Sequence, residues 1–169
     1  SRVMVLEDTD KDGVMDKATP FVDDMVNVRC IAFVEDGVLV VESGALWLCK
    51  DMDGDLRCDE REKLFDFATA AHSNIEHAEN ALHFALDNWM YNSKSSRKLA
   101  WRKEKLIEMP AKPRGQWGMG SDAYGRLYFN ANSNWFEVDW ATYDRQWPSK
   151  GSSVRPPTNR VYGIRPNTA

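Results

Sequence analysis

Apolar and polar residues alternate over short runs along this chain, and the runs are broken by Asp-Gly, Asp-Asn and Tyr-Gly pairs. "IAFVEDGVLVVESGALWLCKD", from Ile31, reads as an apolar strand, a polar turn, a second β-branched strand, a small polar break and a third strand. Period-two alternation sends successive side chains to opposite faces of a pleated ribbon, and Asp-Gly accepts the backbone of a tight hairpin. The same order recurs in "LHFALDNWMYNSKSSRKLAWR" from Leu82 and in "WGMGSDAYGRLYFNANSNWFEVDW" from Trp117. The pattern predicts an all-β fold of three small antiparallel sheets. Sheets of this kind bury their apolar faces by stacking on one another, as the blades of a β-propeller do. Closing a propeller takes about four to eight blades. The expected architecture is therefore a partial propeller of about three blades over residues 1–169, completed by blades from the same polypeptide or from other chains.

Between the first two repeats, Asp66 to Ala81 suits either a short helix or an inter-blade loop. "WPSKGSSVRPPTNR" reads as an irregular loop, and the uncapped "RVYGIRPNTA" reads as the end of a segment rather than of a whole protein. The chain starts at Ser1 without a leader, so the expectation is that any secretion signal was removed or lies upstream.

Acidic residues crowd into two places, which costs electrostatic free energy unless a cation sits among them. In "DMDGDLRCDERE", residues 51–62, Asp51, Asp53, Asp55, Arg57, Asp59 and Glu62 fall on positions 1, 3, 5, 7, 9 and 12 of a calcium loop of the EF-hand type. Arg57 would contribute only its carbonyl, and Glu62 would bind through both oxygens. Position 6, ordinarily glycine, is Leu56, with Gly54 two residues earlier. "DTDKDGVMDKAT", residues 8–19, repeats the spacing with Asp8, Asp10, Asp12, Val14 and Asp16 at positions 1, 3, 5, 7 and 9 and Gly13 at 6. Position 12 is Thr19, which predicts weaker binding or completion of the shell by Asp23 or Asp24. Hard oxygen donors favour calcium over zinc or copper. The competing reading is a pair of solvated Asp- and Gly-rich turns.

A formal charge of −4 and a pI near 5.4 leave no basic face for nucleic acid, and no run is apolar enough to span a membrane. Of the three cysteines, Cys49 and Cys58 flank the second acidic loop and either clip its ends or remain buried thiols, as does Cys30. The absence of C-x-x-C-H excludes a covalently attached c-type haem in this chain. His72, His77 and His83 are the only histidines. His83 lies inside a strand, whereas His72 and His77 precede it, at the end of a blade where propeller ligands meet. Arg114, in "KPRGQWG", holds the matching place one repeat later, either as a channel-facing cation or as a surface arginine. Trp47, Trp89 and Trp117 are expected in the blade core. Trp101, Trp135, Trp140 and Trp147 are less regularly placed, and an exposed one would suit sugar stacking.

"RVMVLEDTDKDGVMDKATPFVDDM", "LWLCKDMDGDLRCDEREKLF", "ENALHFALDNWMYNSKSSRKL" and "PRGQWGMGSDAYGRLYFNANSN" together resemble the membrane-bound dehydrogenase propeller family of bacterial secretomes, relatives of the pyrroloquinoline quinone-dependent sugar dehydrogenases. The resemblance runs from Arg2 to about Asn134 and returns faintly at "RVYGIRP". It implies a six- or seven-bladed propeller in the periplasm or outside the cell, often joined to a cytochrome c domain, acting on a small sugar or alcohol. It places His77 where the family has its catalytic base, Arg114 where the family contacts the quinone, and Asn132 and Ser133 as further cofactor contacts. A non-catalytic, calcium-stabilised extracellular propeller serving as a structural, assembly or binding module is the alternative. A three-blade segment is not expected to be active alone, since a channel site draws on several blades.

Overall fold

A computed structural model of the chain describes residues 1–42, 44–67, 75–132 and 134–139. Its strands are β1 (Val3–Glu7), β2 (Lys17–Val22), β3 (Val28–Val34), β4 (Gly37–Glu42), β5 (Ala45–Lys50), β6 (Glu60–Asp66), β7 (Asn80–Phe84), β8 (Met90–Ser93), β9 (Arg97–Arg102), β10 (Lys105–Pro110), β11 (Met119–Ser121), β12 (Leu127–Ala131) and β13 (Asn134–Val138). The fold is all-β. Among the described residues the only helical element is a single 3₁₀ turn, Ile75–His77. Residues 68–74, with His72, lie outside the described residues, as do Ser133, Trp140, Trp147 and the stretches "WPSKGSSVRPPTNR" and "RVYGIRP". No described helix is long and apolar enough to cross a membrane.

The chain divides into two compact units. One comprises Ser1–Glu79 with Lys103–Lys105, the other Asn80–Arg102 with the residues from Leu106 onward.

In the first unit, β3-β4-β5-β6 form an antiparallel meander, and β1-β2 form a separate hairpin. β4 ("GVLVVE") and β5 ("ALWLCK") are near-continuous apolar runs, which marks strands buried on both faces. Leu39, Val40 and Leu46 have no exposed surface, and Val41 and Leu48 have almost none. One face carries Val38, Val40 and Cys49, packed with Phe21, Val22 and Met25 and flanked by Val3, Val5, Val28, Trp47 and Cys58. The β1-β2 hairpin thus covers the middle of the sheet, each fully buried Val or Leu being worth roughly 1.5–3 kcal/mol. The outer edge strand β3 alternates between half-buried and exposed positions over its second half, with Phe33 78% exposed. The β3-β4 turn needs a glycine. Gly37 has φ +150°, and a Cβ there would fall inside the van der Waals shell of the Cys49 carbonyl on β5.

In the second unit the repeat recurs as the four-stranded meander β7-β8-β9-β10 and the three-stranded β11-β12-β13. In each, an aspartate organises the first turn. Asp87 accepts the Trp89 N–H at 3.2 Å and the Tyr91 hydroxyl at 2.7 Å. Asp122 accepts the N–H groups of Tyr124 and Arg126, the Arg126 guanidinium at 2.6 Å and the Tyr128 hydroxyl at 2.9 Å. Burial is the largest single influence and raises the Asp122 carboxyl, but these donors together outweigh it and hold the carboxyl down at about 2. Ala85, Tyr91 and Leu127 form a small core with Trp89 and Met119 against it.

Of the three tryptophans expected in the blade core, Trp47 and Trp89 pack half-buried against the two cores, whereas Trp117 is 45% exposed. Trp117 precedes β11 rather than lying within it, and its indole N–H reaches Asn132 Oδ1 at 2.7 Å, which holds the ring over the loop instead of in the core.

Candidate metal centres

Both acidic segments are hairpin ends, and they are built alike. Residues 8–16 join β1 to β2, and residues 51–59 join β5 to β6. Each loop is closed by an oppositely charged ladder pair, Glu7 with Lys17 and Lys50 with Glu60, and the N–H that follows the loop's turn returns to the strand: Asp16 to the Glu7 carbonyl at 3.0 Å, Asp59 to the Lys50 carbonyl at 2.8 Å. The first aspartate caps the sixth residue, Asp8 Oδ2 accepting from Gly13 at 2.9 Å and Asp51 Oδ2 from Leu56 at 2.9 Å. The fifth caps the seventh, Asp12 accepting from Val14 and Asp55 from Arg57, both at 2.8 Å. The ninth accepts from the second, Asp16 from Thr9 at 3.1 Å and Asp59 from Met52 at 2.7 Å. The first two kinds are Asx-type bonds that aspartate makes with backbone ahead of it, whereas the ninth residue reaches back across the loop to the second.

The misplaced glycine of the second loop has a structural answer. Positions 4 and 6 are left-handed in both loops: Lys11 (φ 62°) and Gly13 (φ 94°) in the first, Gly54 (φ 85°) and Leu56 (φ 68°) in the second. Each loop supplies glycine at one of the two positions and a strained side-chain-bearing residue at the other.

Carboxylate oxygens converge in both loops. Asp8, Asp10 and Asp12 bring ligand atoms within 4.8 Å of one another, and so do Asp51, Asp53 and Asp59. Hard, negative donors at that spacing fit a calcium-sized ion. The fourth acid differs between loops for a visible reason. Asp16 is held by the Thr9 hydroxyl at 2.6 Å as well as by the Thr9 N–H, and those two bonds lower its pKa. Met52 in the equivalent place has no hydroxyl, so Asp59 joins the cluster. Asp55 instead lies 3.8 Å from the Arg57 guanidinium, whereas Val14 exerts no such pull on Asp12. For Asp51, burial is the largest single influence and raises the pKa, and the N–H groups of Gly54, Leu56, Asp53 and Asp55 together more than reverse it, so its pKa is lowered.

Each hairpin loop ends at its ninth residue, and position 12 of the expected frame lies on the following strand. Glu62 lies in β6 opposite Leu48, and Thr19 in β2 opposite Val5, both already in the ladder. Asp23 and Asp24 follow β2 at its far end from loop 8–16, a six-residue strand away, and Asp23 pairs with Arg2 at 2.9 Å. An extended strand of that length spans about 20 Å, beyond the reach of a shared cation.

Of the residues that the resemblance singles out, His77 is half-buried on the 3₁₀ turn of the first unit, and Arg114 belongs to the second. Arg114 is not a surface arginine. It is 5% exposed, its Nε donates to Asp139, its Nη1 donates to the Lys112 carbonyl at 2.9 Å, and its guanidinium stacks 4.6 Å from the Tyr91 ring centre. Asn132 accepts the Trp117 indole. His83, on β7, meets the Ser121 hydroxyl at 3.1 Å, and burial lowers its pKa.

Around Arg114 lies a polar interior that sequence reading missed. All four residues of β8 ("MYNS") are buried. Asn80 Nδ2 donates to the Gln116 carbonyl at 2.8 Å, and Asn92 Oδ1 accepts from Leu82 N–H at 3.3 Å. Asn92 Nδ2, Ser93 Oγ and Gln116 Nε2 are buried with no hydrogen-bond partner among the described residues. The available signal was a polar Asn-Ser pair inside an aromatic strand, where a turn was read instead.

Cys30, Cys49 and Cys58 form no disulfide. Burial, then the neighbouring Cys58, pushes the Cys49 thiol up to about 12.

The DUF7133 family, described as a domain of unknown function, matches residues 1–166. The chain belongs to this family. No curated protein and no solved structure matches it.

Proposed function

We propose that this DUF7133 chain is a calcium-stabilised segment of a β-propeller, a structural or binding module outside the cytoplasm. The observation that carries the reading is the repetition of one loop geometry in two hairpins that share little beyond their acids, each with three carboxylates converging within 4.8 Å. The meander sheets, with β4 and β5 buried on both faces, are the kind of unit that stacks as blades, and they support a propeller of six or seven such blades completed by the same or other chains. Exposed loops with three or four carboxylates bind calcium weakly, which suits the millimolar calcium met by extracellular modules.

The test is a thermal melt of the full chain in calcium, in magnesium and in chelator, with calorimetric titration. Calcium binding to the folded state alone raises Tm with concentration, by mass action. An unchanged Tm in chelator, with no heat of calcium binding, overturns the reading.

Oxidation of a small sugar or alcohol by pyrroloquinoline quinone, with His77 as base and a cytochrome c domain as electron acceptor, comes second. The resemblance and the polar interior around Asn92, Ser93 and Gln116 support it. Two of the residues assigned to the quinone do not fit that role as they stand, because Arg114 is committed to Asp139, Lys112 and Tyr91, and Asn132 to Trp117. No catalytic step follows from them. A quinone absorbance change on mixing that is lost in His77→Ala would promote this reading; no change would remove it.

A further inference from the structure

The second acidic hairpin has a feature that its counterpart lacks, a thiol at each side of its neck. Cys49 stands two residues before Asp51, and Cys58 stands immediately before Asp59. In the first hairpin those places are held by Leu6 and Met15, both more than half exposed. Cys49 has no exposed surface and sits among Phe21, Val22, Met25, Val38 and Val40, and half-buried Cys58 packs against the same cluster. The two thiols are neighbours at this cluster, close enough for Cys58 to add to the burial that raises the Cys49 thiol. Cys58 also donates to the Glu60 carbonyl at 3.2 Å, and its N–H is fixed to the Phe21 carbonyl at 2.7 Å. Cys30 lies on β3, opposite Val41, outside this cluster.

We propose that Cys49 and Cys58 are a disulfide-forming pair that staples the neck of the 51–59 loop. The bond forms by exchange with an external disulfide of the glutathione type. Cys58, the accessible partner, attacks one sulfur of the oxidant, which breaks its S–S bond and releases one thiol. Cys49 then attacks Cys58 Sγ and expels the second. The two cysteines lose two hydrogens, and the oxidant is reduced to two thiols. The ring closed over residues 49–58 contains Asp51, Asp53 and Asp55 and adjoins Asp59. A cation entering it then has less loop freedom to remove. That coupling to cation affinity rests on the calcium reading above, whereas the disulfide does not.

The test uses the full chain, reduced and then incubated with oxidised glutathione, alkylated, digested and mapped by mass spectrometry. The expected product is a peptide pair joined through Cys49 and Cys58, two hydrogens lighter, with Cys30 alkylated. Tm should rise by about 5 °C, a rise absent in Cys58→Ser. Alkylation of both cysteines, a persistent glutathione adduct on Cys58, or a bond to Cys30 overturns the proposal. Calcium titration of both forms separates the two ideas. Severalfold tighter binding by the oxidised form supports the coupling, equal binding refutes the coupling alone, and no binding in either form refutes the calcium reading while the mapped disulfide stands.

Discussion

Exchanging the glycine within loop 8–16 tests whether the left-handed fourth and sixth positions govern the acidic hairpins. Gly13→Ala adds a Cβ that meets no atom within 4 Å, so the change is free of steric clash and acts only through φ 94°. An L-residue held left-handed costs about 1–2 kcal/mol relative to glycine. The stiffer unfolded chain returns about 0.4–1 kcal/mol, which leaves a net loss of about 1 kcal/mol. Lys11→Gly runs the same ledger backwards at φ 62° and should gain a comparable or smaller amount. A hairpin end opens locally, so the readout is amide hydrogen exchange at Val14 and Asp16, whose N–H groups bond Asp12 and the Glu7 carbonyl. Exchange should accelerate by about fivefold in Gly13→Ala and slow in Lys11→Gly. Because a bound cation requires the same loop shape, calcium affinity should follow in the same directions by similar factors. If Gly13→Ala is neutral, or if both substitutions shift exchange in the same direction, the loop does not depend on these two left-handed residues and the argument fails.

Three further outcomes follow from other parts of the molecule. Asp122 has its pKa lowered to about 2 in the folded state, so its contribution is present above the ordinary value of 3.8 and is lost as pH falls through 2. Wild type should therefore be more stable than Asp122→Asn at pH 5, and their acid-unfolding curves should converge near pH 2; a constant gap would show that the hydrogen bonds to Asp122 carry no charge dependence. Asp139→Ala strands the Arg114 guanidinium at 5% exposure, which should cost about 3 kcal/mol by urea denaturation, while a loss near zero would mean that the guanidinium escapes to water. Gly37→Ala forces a Cβ onto the Cys49 carbonyl across β4 and β5 and should cost about 2–3 kcal/mol, visible as a lower urea midpoint with an unchanged slope.

The strand-and-turn repeats and the acidic spacing were determined by the sequence itself, because both are local. Alternation with a period of two specifies a strand wherever it sits, and an aspartate that caps backbone two to five residues ahead needs nothing from the rest of the chain. So three strands of each meander and the two acidic loops were legible from residue order, whereas the fourth strands β6 and β10 and the separate β1-β2 hairpin were not. The tertiary structure decided what depends on partners distant in sequence or on backbone geometry. It ended both hairpin loops at Asp16 and Asp59 and put position 12, Thr19 and Glu62, on the strands that follow. It chose which acids converge, through the Thr9 hydroxyl and the Arg57 guanidinium. It buried Arg114 against Asp139, twenty-five residues away, swung Trp117 out to Asn132, and set Cys49 beside Cys58 under Phe21 and Met25. Each of these is a contest between burial and pairing that is settled only once the strands have brought the competing groups together.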